Sequence, residues 1–445
     1  MNVSQIIIIL VLLAFVIVGW CVKKSSMVSY DSFSMKKGKL GWFNIAAGIS
    51  MTYAGGAAIL TTASIGYNFK WYALVDPISL MLGIIIVLFL YKKYESDKGV
   101  TIADLFSSND KSLSILIGIV TSFTFVLIVA ANFVALSKLL SPFFPNIHPL
   151  IITFVVSTLI FSYVFLGGFN SVTRTDVLQL IFIMVLLVLP IVIFAIFQHE
   201  QTECVETVHE FAVMPIDYII LFAIPIVFTP LSQDINIRIK SAKSRKQGVL
   251  GVIAGGFFYF CIAASAAFVG VYLGKHDVEL VDAEQAIPVF FKDNFSAISV
   301  VAVIASLAAI VSTLDSYVLN SIISISNDIM KPISRKLNVS KSLKIASVIT
   351  YVLAMSIALF FNKILVLSLT SLLIYISVLV PVILGKSIHL TGRQIFFGSI
   401  VNILLIVLFE IFSFSIGPKA VAYPVNGCAI MLLLLLFKSL NHIKK

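Results

Sequence analysis

Charged side chains are scarce in this chain: Asp, Glu, Lys and Arg make up 12% of its 445 residues, where a soluble protein carries about a quarter. Cysteine is scarcer still. Cys21, Cys204, Cys261 and Cys428 show neither paired metal-ligand spacing nor the density of a disulfide framework, and of the four only Cys204 falls in an expected external loop. The six histidines are scattered rather than clustered. No His-Glu-x-x-His or Gly-x-Ser-x-Gly occurs, which leaves an intramembrane enzyme without support. Long polar segments are missing too. The longest gaps between apolar stretches, 199–212 and 274–296, are too short to fold alone, so function must sit within apolar helices.

What is present is hydrocarbon. Hydrophobic residues account for 60% of the chain and its mean hydropathy is +1.07, the profile of a polytopic membrane protein. A membrane-spanning helix needs about 20 apolar residues. Thirteen stretches qualify, near 4–22, 41–66, 72–91, 113–138, 149–167, 176–198, 213–231, 248–273, 297–326, 343–362, 364–385, 394–415 and 421–437. The first lacks a basic n-region and is followed by Lys23 and Lys24, so it is expected to remain as an uncleaved span.

The net charge of +10 follows from topology rather than from a nucleic-acid partner. With the amino terminus outside and the carboxyl terminus inside, all 31 basic residues except Lys70, Lys138, Lys275, Lys292, Lys363 and Lys419 fall in alternate, inward loops. That asymmetry obeys the positive-inside rule and supports an odd number of spans. It fits a multi-pass protein of a bacterial cytoplasmic membrane in contact with anionic lipid. The acidic outward segment 200–210 reads as a solvated loop or as a mouth that collects cations.

Inside the ninth span the run from Ser306 to Ser316 carries Ser312, Thr313 and Asp315 at mid-membrane depth. A buried charge there costs roughly 2.5 kcal/mol or more unless something compensates it. Residues 309, 312, 313 and 316 share one helical face, with Asp315 on its flank. Packed oxygens of this kind suit a small hard cation; alternatively the hydroxyls bond back to carbonyls one turn earlier and Asp315 glues the helix to a neighbour. Two spans are interrupted, the second by adjacent Gly55 and Gly56, the seventh by Pro225 and Pro230. Counted from the second span these are the first and sixth of ten, the pattern of inverted-repeat secondary transporters, although a packing glycine pair and a proline kink would look the same.

Four stretches agree in order, spacing and expected membrane side. They are Gly41-Trp42 with the broken helix through Gly66-Tyr67; Leu166-Gly167-Gly168 through Thr175-Asp176 and Gln179; Gln233 with Arg238, Ala242 and Lys243; and Ala309 through Ser316 followed by Asn327-Asp328-Ile329 and Lys331-Pro332. Together they resemble the sodium:solute symporter family, which includes bacterial proline, pantothenate, sialic acid and sugar symporters. The resemblance implies an all-α membrane protein with a leucine-transporter-like 5+5 inverted repeat. One extra helix and a cytoplasmic loop would occupy 1–40, the two five-helix repeats 41–212 and 213–386, and two further helices 387–445.

It implies a symporter that imports a small organic solute by alternating access, with sodium as coupling ion and no other cofactor. By position, sodium would be held by the hydroxyls of Ser312 and Thr313 and the carbonyls of Met51, Ala54 and Ala309. Asp176 matches an acidic residue tied to a second sodium site or to the release path; it is equally placed to cap the sixth span. Five neutral oxygens suit a monovalent ion. For the solute, Tyr53, Gly55, Gly56, Asp76, Asn132, Phe228 and Thr229 are the candidates, with Phe228 at the position of an aromatic inner gate. Asp176 or Asp315 could titrate, which keeps proton coupling as an alternative. A symporter-like sensor is a further one, but such sensors carry a large cytoplasmic kinase region and this sequence ends at Lys445, just past its last span.

Overall fold

The computed structural model describes residues 3–20, 33–35, 37–96, 99–107, 110–198, 213–276, 278–280, 282–295, 299–334, 337–361, 363–411 and 419–443. The acidic segment 200–210 and Cys204, Cys21, Lys23 and Lys24 lie outside the described residues. The described chain is almost wholly helical: α1 Val3–Trp20, α2 Trp42–Tyr53, α3 Gly56–Phe69, α4 Val75–Ser96, α5 Ile102–Ser107, α6 Lys111–Leu140, α7 Pro149–Ile183, α8 Leu189–Gln198 and α9 Ile216–Phe222. There follow α10 Pro225–Phe228, α11 Gln233–Ser241, α12 Arg245–Lys275, α13 Ala286–Asn294, α14 Ser299–Ile323, α15 Val339–Phe360, α16 Ile364–Ser387, α17 Gly392–Ile411 and α18 Lys419–Ile443. Among the described residues nine helical stretches are long and apolar enough to cross a membrane, and 4–18 and 421–436 are shorter apolar helices. Helix α13 lies in what the sequence reads as a plain external loop.

Helix α14 is the axis of the bundle. Every residue in the apolar centre of the stretch Val303–Ile333 is buried, while the helices around it leave much of their apolar surface outward. That split is what a hydrocarbon solvent permits: outer faces need no polar cover, and polar groups retreat to the middle. Helix α14 packs on α3, α6, α7 and α15, and α12 packs along α2 and α3.

The second span breaks where its glycine pair lies. Helix α2 ends at Ala54 (φ −77°, ψ 38°), Gly55 is extended (φ −58°, ψ 154°), and α3 starts at Gly56. The seventh span breaks more gradually. It passes through α9, α10 and a 3-10 turn at Thr229–Leu231 before Ser232 turns extended (φ −68°, ψ 122°). Where the chain turns extended at Ser232, the last carbonyls of the turn lose their helical donors and find hydroxyls instead. Tyr94 Oη donates to the Pro230 carbonyl and Tyr375 Oη to that of Leu231 at 2.7 Å.

One expectation holds in α7 and one is corrected. The turn expected between the fifth and sixth spans falls at a kink at Gly168 (φ 52°, ψ −147°), a non-helical conformation that requires glycine and divides α7 into two helical segments. Asp176 lies well inside the helix after that kink, so it does not cap a helix start.

Candidate functional site

The centre of the bundle collects the polar residues that hydropathy hides. Thr313 Oγ1 on α14 lies 3.1 Å from the Met51 carbonyl and 3.4 Å from that of Thr52, at the frayed end of α2. Gly55 makes this approach possible, since a Cβ there would sit 2.5 Å from Thr313 Oγ1. One residue back, Ser312 Oγ donates to Asp176 Oδ1 at 2.6 Å. Neither hydroxyl is spent on a carbonyl of its own helix. They bridge α14 to α2 and to α7. Ala54 and Ala309 are fully buried, Ala54 at the break itself and Ala309 one turn before Thr313.

A network of buried charge lies beside these hydroxyls. Arg238 on α11 is fully buried; its Nε donates to Asp234 Oδ2 at 2.7 Å, and its Nη2 lies 3.1 Å from Asp176 Oδ2. The same Nη2 reaches Thr52 Oγ1 at 3.2 Å and Ser316 Oγ at 3.4 Å. Asp315, also fully buried, accepts from Tyr163 Oη at 2.9 Å and Thr175 Oγ1 at 3.0 Å, while its Oδ1 has no partner. Asp315 thus does glue α14 to α7, one of the two roles its position allows. Two carboxylates, of Asp176 and Asp234, share one guanidinium, and a third, of Asp315, has no ion pair among the described residues. Such an imbalance is costly in a low-dielectric interior and favours any cation that can enter it.

Sequence reading counted Arg238 among the basic residues of an inward loop. The structure corrects this: every residue of α11 except Lys240 is buried, and the guanidinium rests 5.6 Å from the Phe169 ring centre. Tyr163, Thr175 and Asp234 were also missed as members of the network, whereas Ser316 was already placed on the polar face of its span. A signal was available in the Gln233–Arg238 spacing, but it marks a motif and not a burial.

A cavity of about 120 Å³ adjoins the hydroxyl contact, and Thr52 and Thr313 belong to its wall. Of the residues expected to meet a solute, it brings together Tyr53, Gly55, Asp76, Asn132 and Phe228. It does not include Gly56, which packs against Ile310, nor Thr229, which packs beside Gly83. Tyr53 is set edge-on to Phe228 at 6.5 Å and to Tyr259 at 6.1 Å between ring centres. Tyr259 Oη donates to Asp76 Oδ2. Asn132 Nδ2 donates to the Ile128 carbonyl one turn back at 2.9 Å. Tyr259, Tyr317, Ser368 and Ser371 also line it, which sequence alone did not assemble.

A family model described as the sodium:solute symporter family matches residues 33–385, and the chain belongs to that family. It is a multi-pass membrane transporter, a sodium-coupled symporter with sodium and a solute as its transported partners, and not an enzyme. Among solved structures it is similar to a Na+-coupled sialic acid symporter in a substrate-bound outward-open state, with 16% identity, 98% of this chain and 96% of that chain covered, and a TM-score of 0.70. It is also similar to Mhp1, a nucleobase-cation-symport-1 family transporter, in a closed conformation, with 12% identity, 92% and 94% coverage, and a TM-score of 0.57. These likenesses show a shared helical transporter fold. No curated protein matches the sequence directly.

Proposed function

We propose that the protein imports a small organic solute across a bacterial cytoplasmic membrane, using the sodium gradient and alternating access. Sodium would be held between α2 and α14, by the carbonyls of Met51, Ala54 and Ala309 and the hydroxyls of Ser312 and Thr313. Asp176, hydrogen-bonded to Ser312, would offer a second sodium site or a release path. The solute would occupy the cavity bounded by Tyr53, Gly55, Asp76, Asn132 and Phe228. The reading takes 41–212 and 213–386 as the two repeats, with the amino terminus outside and the carboxyl terminus inside.

The observation that carries it is that Thr313 belongs to both places. Its hydroxyl meets the Met51 carbonyl and its side chain lines the cavity. An ion pulling α2 toward α14 therefore reshapes the solute's wall. Coupling is then a difference in solute affinity between the ion-bound and ion-free forms, and alternating access is the rocking that this difference biases.

Uptake into proteoliposomes under a sodium gradient, a lithium gradient or a pH gradient alone tests the reading. Uptake that requires sodium supports it; uptake driven by protons and indifferent to sodium overturns it. Proton coupling earns mention because Asp315 Oδ1 is buried without a partner, and the same experiment separates the two.

A further inference from the structure

The solute cavity is charged, and with one sign only. Asp76 is the single carboxylate among its described lining residues, and no lysine, arginine or histidine lines it. Asp76 sits in the first turn of α4, half-buried, with Oδ2 engaged by the Tyr259 hydroxyl. Among the described residues no basic group pairs with it. The helix N-terminus eases its negative charge but does not neutralise it. Around the carboxylate stand aromatic rings: Tyr53, Phe228 and Tyr259 edge to face, with Tyr317 in the same wall.

We infer that the transported solute carries a protonated amine or a quaternary ammonium group, which docks against Asp76 among these rings. This rests on the proposed import function and names its substrate class. A carboxylate taken out of water is costly unless an opposite charge joins it, and a cationic solute brings that charge. Ring faces within about 6 Å of an ammonium attract it through their quadrupoles. A carboxylate-bearing solute without an amine meets the reverse, because like charges brought together repel. A neutral polyol can donate to Asp76 but leaves its charge uncompensated. The cavity, at about 120 Å³, is well below the roughly 300–1,000 Å³ of drug-sized sites.

Thermal unfolding of the purified protein tests this, with ethanolamine, choline, glycerol and propionate each added in saturating sodium. The expected result is a melting temperature raised by ethanolamine or choline and unmoved by glycerol and propionate. The amine shift should be lost in Asp76→Asn, corresponding to at least a tenfold weaker affinity, and kept in Asp76→Glu. A shift from glycerol or propionate with none from the amines overturns the inference, as does no shift from either amine or an amine shift that survives Asp76→Asn. Sodium alone is read in the same series: its failure to stabilise the wild-type chain counts against sodium coupling, whereas the amine comparison judges the substrate class.

Discussion

Thr313 on α14 reaches across to the Met51 carbonyl at 3.1 Å, joining the middle of the most buried helix to the broken end of α2. If sodium is held at this junction, the Thr313 hydroxyl is one of its few neutral ligands and cannot be replaced by a methyl group. Thr313→Ala is expected to raise the sodium concentration for half-maximal uptake at least tenfold, equivalent to about 1.4 kcal/mol. Thr313→Ser should stay near wild type. Sodium titrations of uptake compare the three; an unchanged sodium dependence in Thr313→Ala removes this residue from the site.

Arg238 has a different role, since it faces Asp234 at 2.7 Å and Asp176 at 3.1 Å with no solvent on either side. Removing one partner of a buried ion pair leaves the others uncompensated, at a cost of roughly 3–5 kcal/mol. Arg238→Met is therefore expected to lower the thermal midpoint sharply or to prevent folding. Adding Asp234→Asn should restore part of the loss, because it removes a carboxylate that has lost its partner. Equal stability of Arg238→Met and wild type would show that the network carries no such strain of charge.

These two residues also mark how far sequence reaches. Thr313 was legible because hydroxyls in an apolar stretch stand out, and because the Gly55-Gly56 pair announces a break in the helix opposite. Arg238 was not, because α11 is polar enough to pass for a loop, with Lys240, Lys243 and Arg245 following at once. Hydropathy measures what a segment would prefer alone. It cannot register that Asp176 and Asp234 make a buried guanidinium tolerable. The Asp76–Tyr259 contact is hidden for a related reason, since it joins residues 183 positions apart. Nothing local to either residue specifies it.

Asp315 tests the excess of negative charge directly. Asp315→Asn keeps an oxygen to accept from Tyr163 and Thr175 while removing the charge, so the fold should persist. Opposite charges in a partly buried site attract with an energy that falls as the inverse of their separation. Sodium affinity should accordingly fall by about tenfold, with no change in which solute is taken up. If uptake by the wild-type chain responds to a pH gradient and uptake by Asp315→Asn does not, Asp315 carries a proton in addition. Sodium titration of both forms, with and without an imposed pH gradient, separates the two outcomes.

Gly55 separates geometry from chemistry at the same junction. A Cβ at this position would lie 2.5 Å from Thr313 Oγ1 and 2.9 Å from Thr313 Cβ, closer than van der Waals contact allows. Gly55 is extended with negative φ, so alanine is not excluded by the backbone, only by the neighbour. Gly55→Ala must therefore push α14 away from the break in α2 or turn the Thr313 side chain aside. Either response removes the hydroxyl from the Met51 carbonyl without changing any oxygen-bearing residue. The expected outcome is a folded protein with sodium affinity reduced as in Thr313→Ala, and a solute affinity reduced with it because both residues line the cavity. Combining Gly55→Ala with Thr313→Ala should cost little more than either alone, since the two act on one contact and their effects are not additive. Fully additive losses in sodium affinity would show that the glycine and the threonine act on separate sites.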